Sequence, residues 1–307
     1  MSRWTATTEM NHSVAIEELL FFIERVANGA STMRFLCGEA AFGMSLLVRI
    51  ARQRSLTKNL VTLSLPVEEG WDETVSSSSR AGRVECLLAS LSTQQQPNCN
   101  AFEAVFRRFA DRCIAEARLE NGTLICAIER ACRDIVGLQG GAELASCLSS
   151  YCIAYQAGDH SRMKAVLNAL VTGSSDDLND VHMPLADLSL SELLCLLSTL
   201  IRTSGYNGLI LFGEDSNRTP NATTSPDGFG MLVESIAKAI QDGADEFGAV
   251  LPMRPQSMAV VVEGVSNQNK PWNLNVCRGP DNDLQAQLAP MVITVPSLTI
   301  EDFARVG

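Results

Sequence analysis

Apolar positions along the chain change period several times, and each change marks a different kind of element. Val14, Leu19, Phe22, Ile23 and Val26 recur at near-helical spacing, with Ser13 placed to cap and Gly29 to stop a helix over 14–29. MRFLC (33–37) is a short apolar run suited to a buried strand. After a glycine-framed turn, SLLVRIARQR (45–54) returns to helical spacing, and NLVTLSLP (59–66) is extended again. Strand, turn, helix and strand in that order form a βαβ unit, which calls for a parallel sheet.

From about 82 to 203 the pattern is helical, with segments near 82–92, 101–118, 123–135, 141–156, 160–171 and 189–203. Polar stretches such as STQQQPNCN (92–100) and TGSSDDLND (172–180) separate them, and no repeat period emerges. This region reads as a large helical insertion. Strand character returns in GYNGLILFGED (205–215), which ends in acids, followed by a polar loop and a helix over 229–243. SMAVVVEGVS (257–266) is an uninterrupted apolar run of the kind buried on both faces of a sheet. MVITVPSL (291–298) predicts a last strand after a short helix in LQAQLAP. The expected architecture is α/β: strands 33–37, 59–65, 207–213, 257–264 and 291–295 in one mainly parallel sheet within a three-layer core. Residues 1–12 are polar and expected to be disordered, leaving one domain over 13–307.

Composition narrows the function classes. A chain of 307 residues, 46% hydrophobic and 19% charged, has ample material for a core. Its formal net charge of -11 disfavours nucleic acid as the main partner, because a backbone-phosphate binder carries a basic face. The ten cysteines are scattered without a C-x-x-C pair, and the three histidines lie far apart, so a zinc site is not expected. Cysteines in apolar helical runs serve as small buried hydrophobes, and with no signal peptide visible they fit the reducing cytoplasm. No apolar run reaches the roughly 18 residues that a membrane span requires.

The candidate chemistry lies in FLCGEAAFGMSLL (35–47). Gly38, Gly43 and Ser45 occupy the frame of a phosphate-binding G-x-x-x-x-G-K-[ST] loop, but Met44 stands at the lysine position. The string alone is weak evidence; the strand before it and the helix and strand after it strengthen it. Gly38, Glu39, Gly43, Met44, Ser45 and Leu46 are thus the candidate nucleotide-contacting residues, working through backbone N–H groups at a helix N-terminus. An acid at the end of a neighbouring strand is needed to hold magnesium, and LILFGED offers Glu214 and Asp215. In isolation such acids are as readily explained as solvated loop residues. If magnesium binds, Ser45 and Glu214 are its candidate ligands.

These stretches resemble the ATP-binding P-loop proteins associated with BREX bacteriophage-defence systems, relatives of the AAA+ class, over nearly the whole chain. RFLCGEAAFGMSLLVRIA is similar to that family's R-F-hydrophobic-x-G-E-Y-G-S-G-K-T stretch. The apolar segment 59–65 matches the strand that follows, and YQAGDHSRMKAVLNALVTG resembles a Y-x-x-G-D element of the helical insertion. SGYNGLILFGED resembles G-Y-x-G-L followed by a hydrophobic run and D-E, the most specific match. AVVVEGVS is similar to a strand normally ending in G-T. The resemblance implies a P-loop NTPase-like core, with ATP and magnesium as the family's ligands.

Departures from the family pattern fall on the chemistry. The inner glycine is Ala41, the small residue is Phe42 and the lysine is Met44. The family's D-E reads Glu214–Asp215 in reversed order or, aligned one residue earlier, has Gly213 in place of the aspartate; Val265 replaces a threonine, and Pro290 and Met291 stand where an arginine is usual. The chain stops where the AAA+ lid is expected to begin, so the lid is expected to be absent. A charge-assisted hydrogen bond contributes roughly 1.5–3 kcal/mol, so several such losses together lower affinity by orders of magnitude. The expectation is a degenerate, pseudo-ATPase member: no enzyme, no bound cofactor, and a scaffold or regulatory role through other protein subunits or its own copies. The alternative is a working AAA+-like ATPase that binds ATP and magnesium in a non-standard site or one completed by a partner subunit.

Overall fold

The structure is a computed structural model and describes residues 4–37, 41–66, 77–172, 185–214, 226–253 and 292–294. Its centre is a parallel sheet of five strands: β1 (Thr32–Cys37), β2 (Val61–Pro66), β3 (Leu209–Glu214), β4 (Phe247–Met253) and β5 (Val292–Thr294). Their order across the sheet is β2-β3-β4-β1-β5, every pairing parallel. The segments expected at 33–37, 59–65, 207–213 and 291–295 all contribute strands to this one sheet. The run 257–264 lies outside the described residues, and the place between β3 and β1 is taken by β4, which the apolar pattern did not single out.

Side-chain alternation along the strands divides the core into two coats. Leu209 and Leu211 of β3 join the larger apolar cluster, whereas Ile210 and Phe212 join the smaller one on the opposite face. The smaller cluster is closed by α1 (Trp4–Ala27) and α2 (Ala41–Thr57). In α1, Ala15, Leu19, Phe22, Ile23 and Val26 form the buried stripe, so the apolar positions read from the pattern are the ones packed, Val14 excepted. The helix starts at Trp4, and Ser13, expected as its cap, lies inside it. Phe22 and Val26 sit over Gly248 of β4, where an added Cβ would come within 2.7 Å of the Phe22 ring.

The other face carries the helical excursion. α3 (Ser77–Ala89), α4 (Phe102–Leu119), α5 (Leu124–Ala131), α6 (Arg133–Val136), α7 (Gly141–Ala157) and α8 (His160–Thr172) follow β2, and α9 (Leu190–Thr203) leads into β3. α10 (Pro226–Gln241) packs beside α9. The single helix expected over 123–135 is two, interrupted at Cys132. α9 begins with a capping box: the Ser189 hydroxyl accepts from the Glu192 N–H while the Glu192 carboxylate accepts from the Ser189 N–H at 2.9 Å. Phe106 of α4 and Tyr151 of α7 meet edge to face with centroids 5.3 Å apart inside the larger cluster, which reaches the sheet without a break.

The edge strand β2 is covered rather than open. Thr62 and Ser92 exchange backbone hydrogen bonds, and the Ser90 hydroxyl accepts from the Ser64 N–H and donates to the Ser64 carbonyl, each at 2.9 Å. The segment after α3 therefore lies along the outside of the sheet.

Candidate functional site

In a parallel sheet the strands' C-terminal ends collect at one edge, and ligands bind in the crevice there. β1 ends at Cys37, and α2 begins at Ala41, so strand and helix are joined by the three positions 38–40. The strand and the helix expected on either side of the loop are both present. Gly38 and Glu39 lie outside the described residues, and Gly43 is the third residue of α2. With the helix already under way at Ala41, the Ser45 and Leu46 amides fall on its i to i−4 ladder. The amides of 41–43, in the first turn, stay off that ladder.

Met44, at the lysine position, is 3% exposed. It belongs to the apolar cluster that holds Leu36, Leu47, Phe212 and Val250, on the stripe of α2 that packs against α1 and the sheet. Ser45, one residue on, turns outward and is exposed, as is Leu46 at 36%. Cys37, at the β1 terminus, is buried, and loss of water holds its thiol above the ordinary range.

Strand register places the second motif. Leu36 pairs with Pro252 and Phe212 with Val250, so Glu214 stands level with Pro252 and Leu36, two strands from β1. At the usual spacing that separation is about 10 Å. The β3 terminus thus shares one edge of the sheet with the end of β1. Asp215, Val265, Pro290 and Met291 lie outside the described residues. Among the described residues no group of three or more His, Cys, Asp or Glu side chains is arranged to hold a metal.

The described part of the loop supplies backbone amides and one hydroxyl, but no cation. A magnesium triphosphate needs a positive charge over its β- and γ-phosphates, and the position that would carry it is occupied by a thioether packed into the core. The residues present do not fit that group as a lysine-bearing loop does.

The most specific sequence match, GYNGL, has a different place. Gly205 and Gly208 have φ of +83° and +139°, and a Cβ at Gly208 would lie 2.2 Å from the Glu246 carbonyl oxygen. Tyr206 is buried beneath the Arg108 guanidinium, 4.0 Å from its ring centroid, and Arg108 also donates to the Gly205 carbonyl at 2.6 Å. This motif fastens the start of β3, at the opposite end of the sheet from Glu214. Its work is structural.

A feature without a sequence signal adjoins the phosphate-loop helix: a cavity of about 810 Å³ between α2, the 97–99 turn and Gly213. The α2-facing side of β2 is polar. Thr62 and Ser64 are buried there with hydroxyls that have no hydrogen-bond partner. Only the fold brings these segments together.

Compared with known proteins, the chain matches the family described as BREX system ATP-binding protein BrxC/D over residues 12–301. Neither the curated proteins nor the solved structures gave a match.

Proposed function

The chain belongs to the BREX system ATP-binding protein family, and from that premise we propose that it is a non-catalytic P-loop member acting as a scaffold or regulatory subunit. Membership supplies the setting, a bacteriophage-defence system in which other subunits are the natural partners. The observation that carries the non-catalytic reading is the burial of Met44 in the apolar cluster under α2. A lysine that grips phosphates must leave the core and reach over the loop; this side chain is held down by packing. The helix start at Ala41 supports the same reading, because it commits amides that a phosphate cradle would use. A cytoplasmic location belongs to this proposal. No helix among the described residues is long and apolar enough to cross a membrane.

The test is calorimetric titration with MgATP beside a turnover assay. No saturable heat and no phosphate release above background are expected. Stoichiometric binding, or turnover by the isolated chain, would overturn the proposal. The family description favours one rival, an ATPase whose site is completed by a partner subunit. That rival predicts turnover that appears only when a second subunit, or a high concentration of this chain, is present.

A further inference from the structure

We infer that the cavity along α2 is a docking groove for an acidic, partly apolar segment of a partner protein in extended conformation. This rests on the proposed scaffold role and names the chemistry of the contact.

Charge is the first argument. In a chain of net charge -11, the described residues lining this cavity include Arg49 and Arg52 and not one acid. Arg49 is exposed and Arg52 half-buried, one helical turn apart on the same flank of α2. Such a pair selects carboxylates, which guanidinium groups bind through paired N–H donors. Shape is the second. The lining runs along α2 from Met44 to Leu56, a length of about 18 Å at the helical rise. That accommodates roughly five residues of extended chain and exceeds what a compact phosphate would fill. Chemistry is the third. Val48 and Leu56 on α2 and Pro97 on the facing turn give the arginines an apolar surround, which a free phosphate would leave uncovered and a peptide with alternating acidic and apolar residues would cover.

The experiment is fluorescence anisotropy with a short fluorescein-labelled peptide of alternating glutamate and leucine. Glutamate–serine and lysine–leucine peptides of the same length serve as controls. Saturable binding of the glutamate–leucine peptide alone is expected, weakened about tenfold or more by Arg49→Glu/Arg52→Glu. Arg54→Glu, a single charge reversal on the same helix outside the groove, is expected to leave it unchanged. If the double reversal does not fold, as judged by circular dichroism, Arg49→Gln/Arg52→Gln gives the same readout. Absence of saturable binding, equal binding of the lysine–leucine peptide, or an undiminished affinity in the folded double variant would overturn the groove. Displacement by tripolyphosphate at equal concentration would overturn it too, in favour of a phosphate site. ATP turnover by the wild-type chain would sink the non-catalytic reading while leaving the groove standing, so the two fail separately.

Discussion

Met44 is the residue on which the functional reading turns. Returning the lysine is the obvious repair, and we expect Met44→Lys to restore neither ATP binding nor hydrolysis. The new ammonium starts from a site that is 3% exposed among Leu36, Phe212 and Val250. Keeping it charged there costs roughly 4 kcal/mol if burial lowers its pKa by about three units. The variant is therefore expected to lose stability and stay inactive in a turnover assay beside wild type and Phe42→Gly/Met44→Lys. Robust turnover from the single variant would remove the pseudo-ATPase reading. The thiols give a second prediction. Burial pushes Cys132 up to about 12, and Cys147 and Cys195 up to about 11, from the usual 9.0. Their folded pKa values exceed the unfolded ones, so the folded state holds protons that the unfolded chain releases. The stabilisation is complete below pH 9 and is lost as pH rises toward 11 and 12. Each thiol contributes a slope of about 1.4 kcal/mol per pH unit inside its window. Urea midpoints that hold constant from pH 8 to about 11 would contradict this.

At the scale of elements, backbone geometry is a sharper constraint than composition. Gly208→Ala is expected to destabilise by several kcal/mol, because φ of +139° excludes an L side chain and the Cβ would strike the Glu246 carbonyl that accepts from the Leu209 N–H. Ser189→Ala removes the capping box of α9 and is expected to cost about 1 kcal/mol. Equilibrium urea unfolding ranks the two, and a Gly208→Ala variant no weaker than Ser189→Ala would refute the strained-turn argument. The sequence announced most of these elements, since β1, β2 and β3 are apolar runs bounded by turn residues and α4, α7 and α9 keep helical period over about four turns or more. It hid β4. FGAVLPM carries a glycine and a proline, both poor strand residues, yet Gly248 is required under Phe22 and Pro252 sits near the strand's end. It also hid where α2 begins, because glycine spacing reports a loop and not the residue at which the helix takes over. The cavity beside α2 was illegible for another reason: its walls come from α2, the 97–99 turn and Gly213, segments far apart in the chain that meet only in the fold.

For the whole molecule, the question is whether the helical excursion is a separate unit or part of the sheet's own core. Sequence pattern alone suggests an insertion, since the strands stop after β2 and resume at β3. Packing argues for integration. Phe106, Tyr151 and Cys152 of the helical layer share one buried cluster with Met33, Phe35, Val61, Leu63, Leu209, Leu211 and Phe247 of the sheet. Removing the helices would leave α10 alone on that face of the sheet, and a parallel sheet largely bared on one side is not a stable arrangement. The helices alone would in turn expose α9, whose buried residues run from Leu190 to Ile201. Neither part can bury its apolar surface without the other, so we expect one cooperative unfolding transition. Two probes separate the cases: far-UV circular dichroism, dominated by the helices, and thiol labelling of a variant retaining only Cys37, at the end of β1. Coincident urea midpoints are expected. A Cys37 transition displaced from the helical one would show that the excursion folds by itself, and the single-core argument would fall.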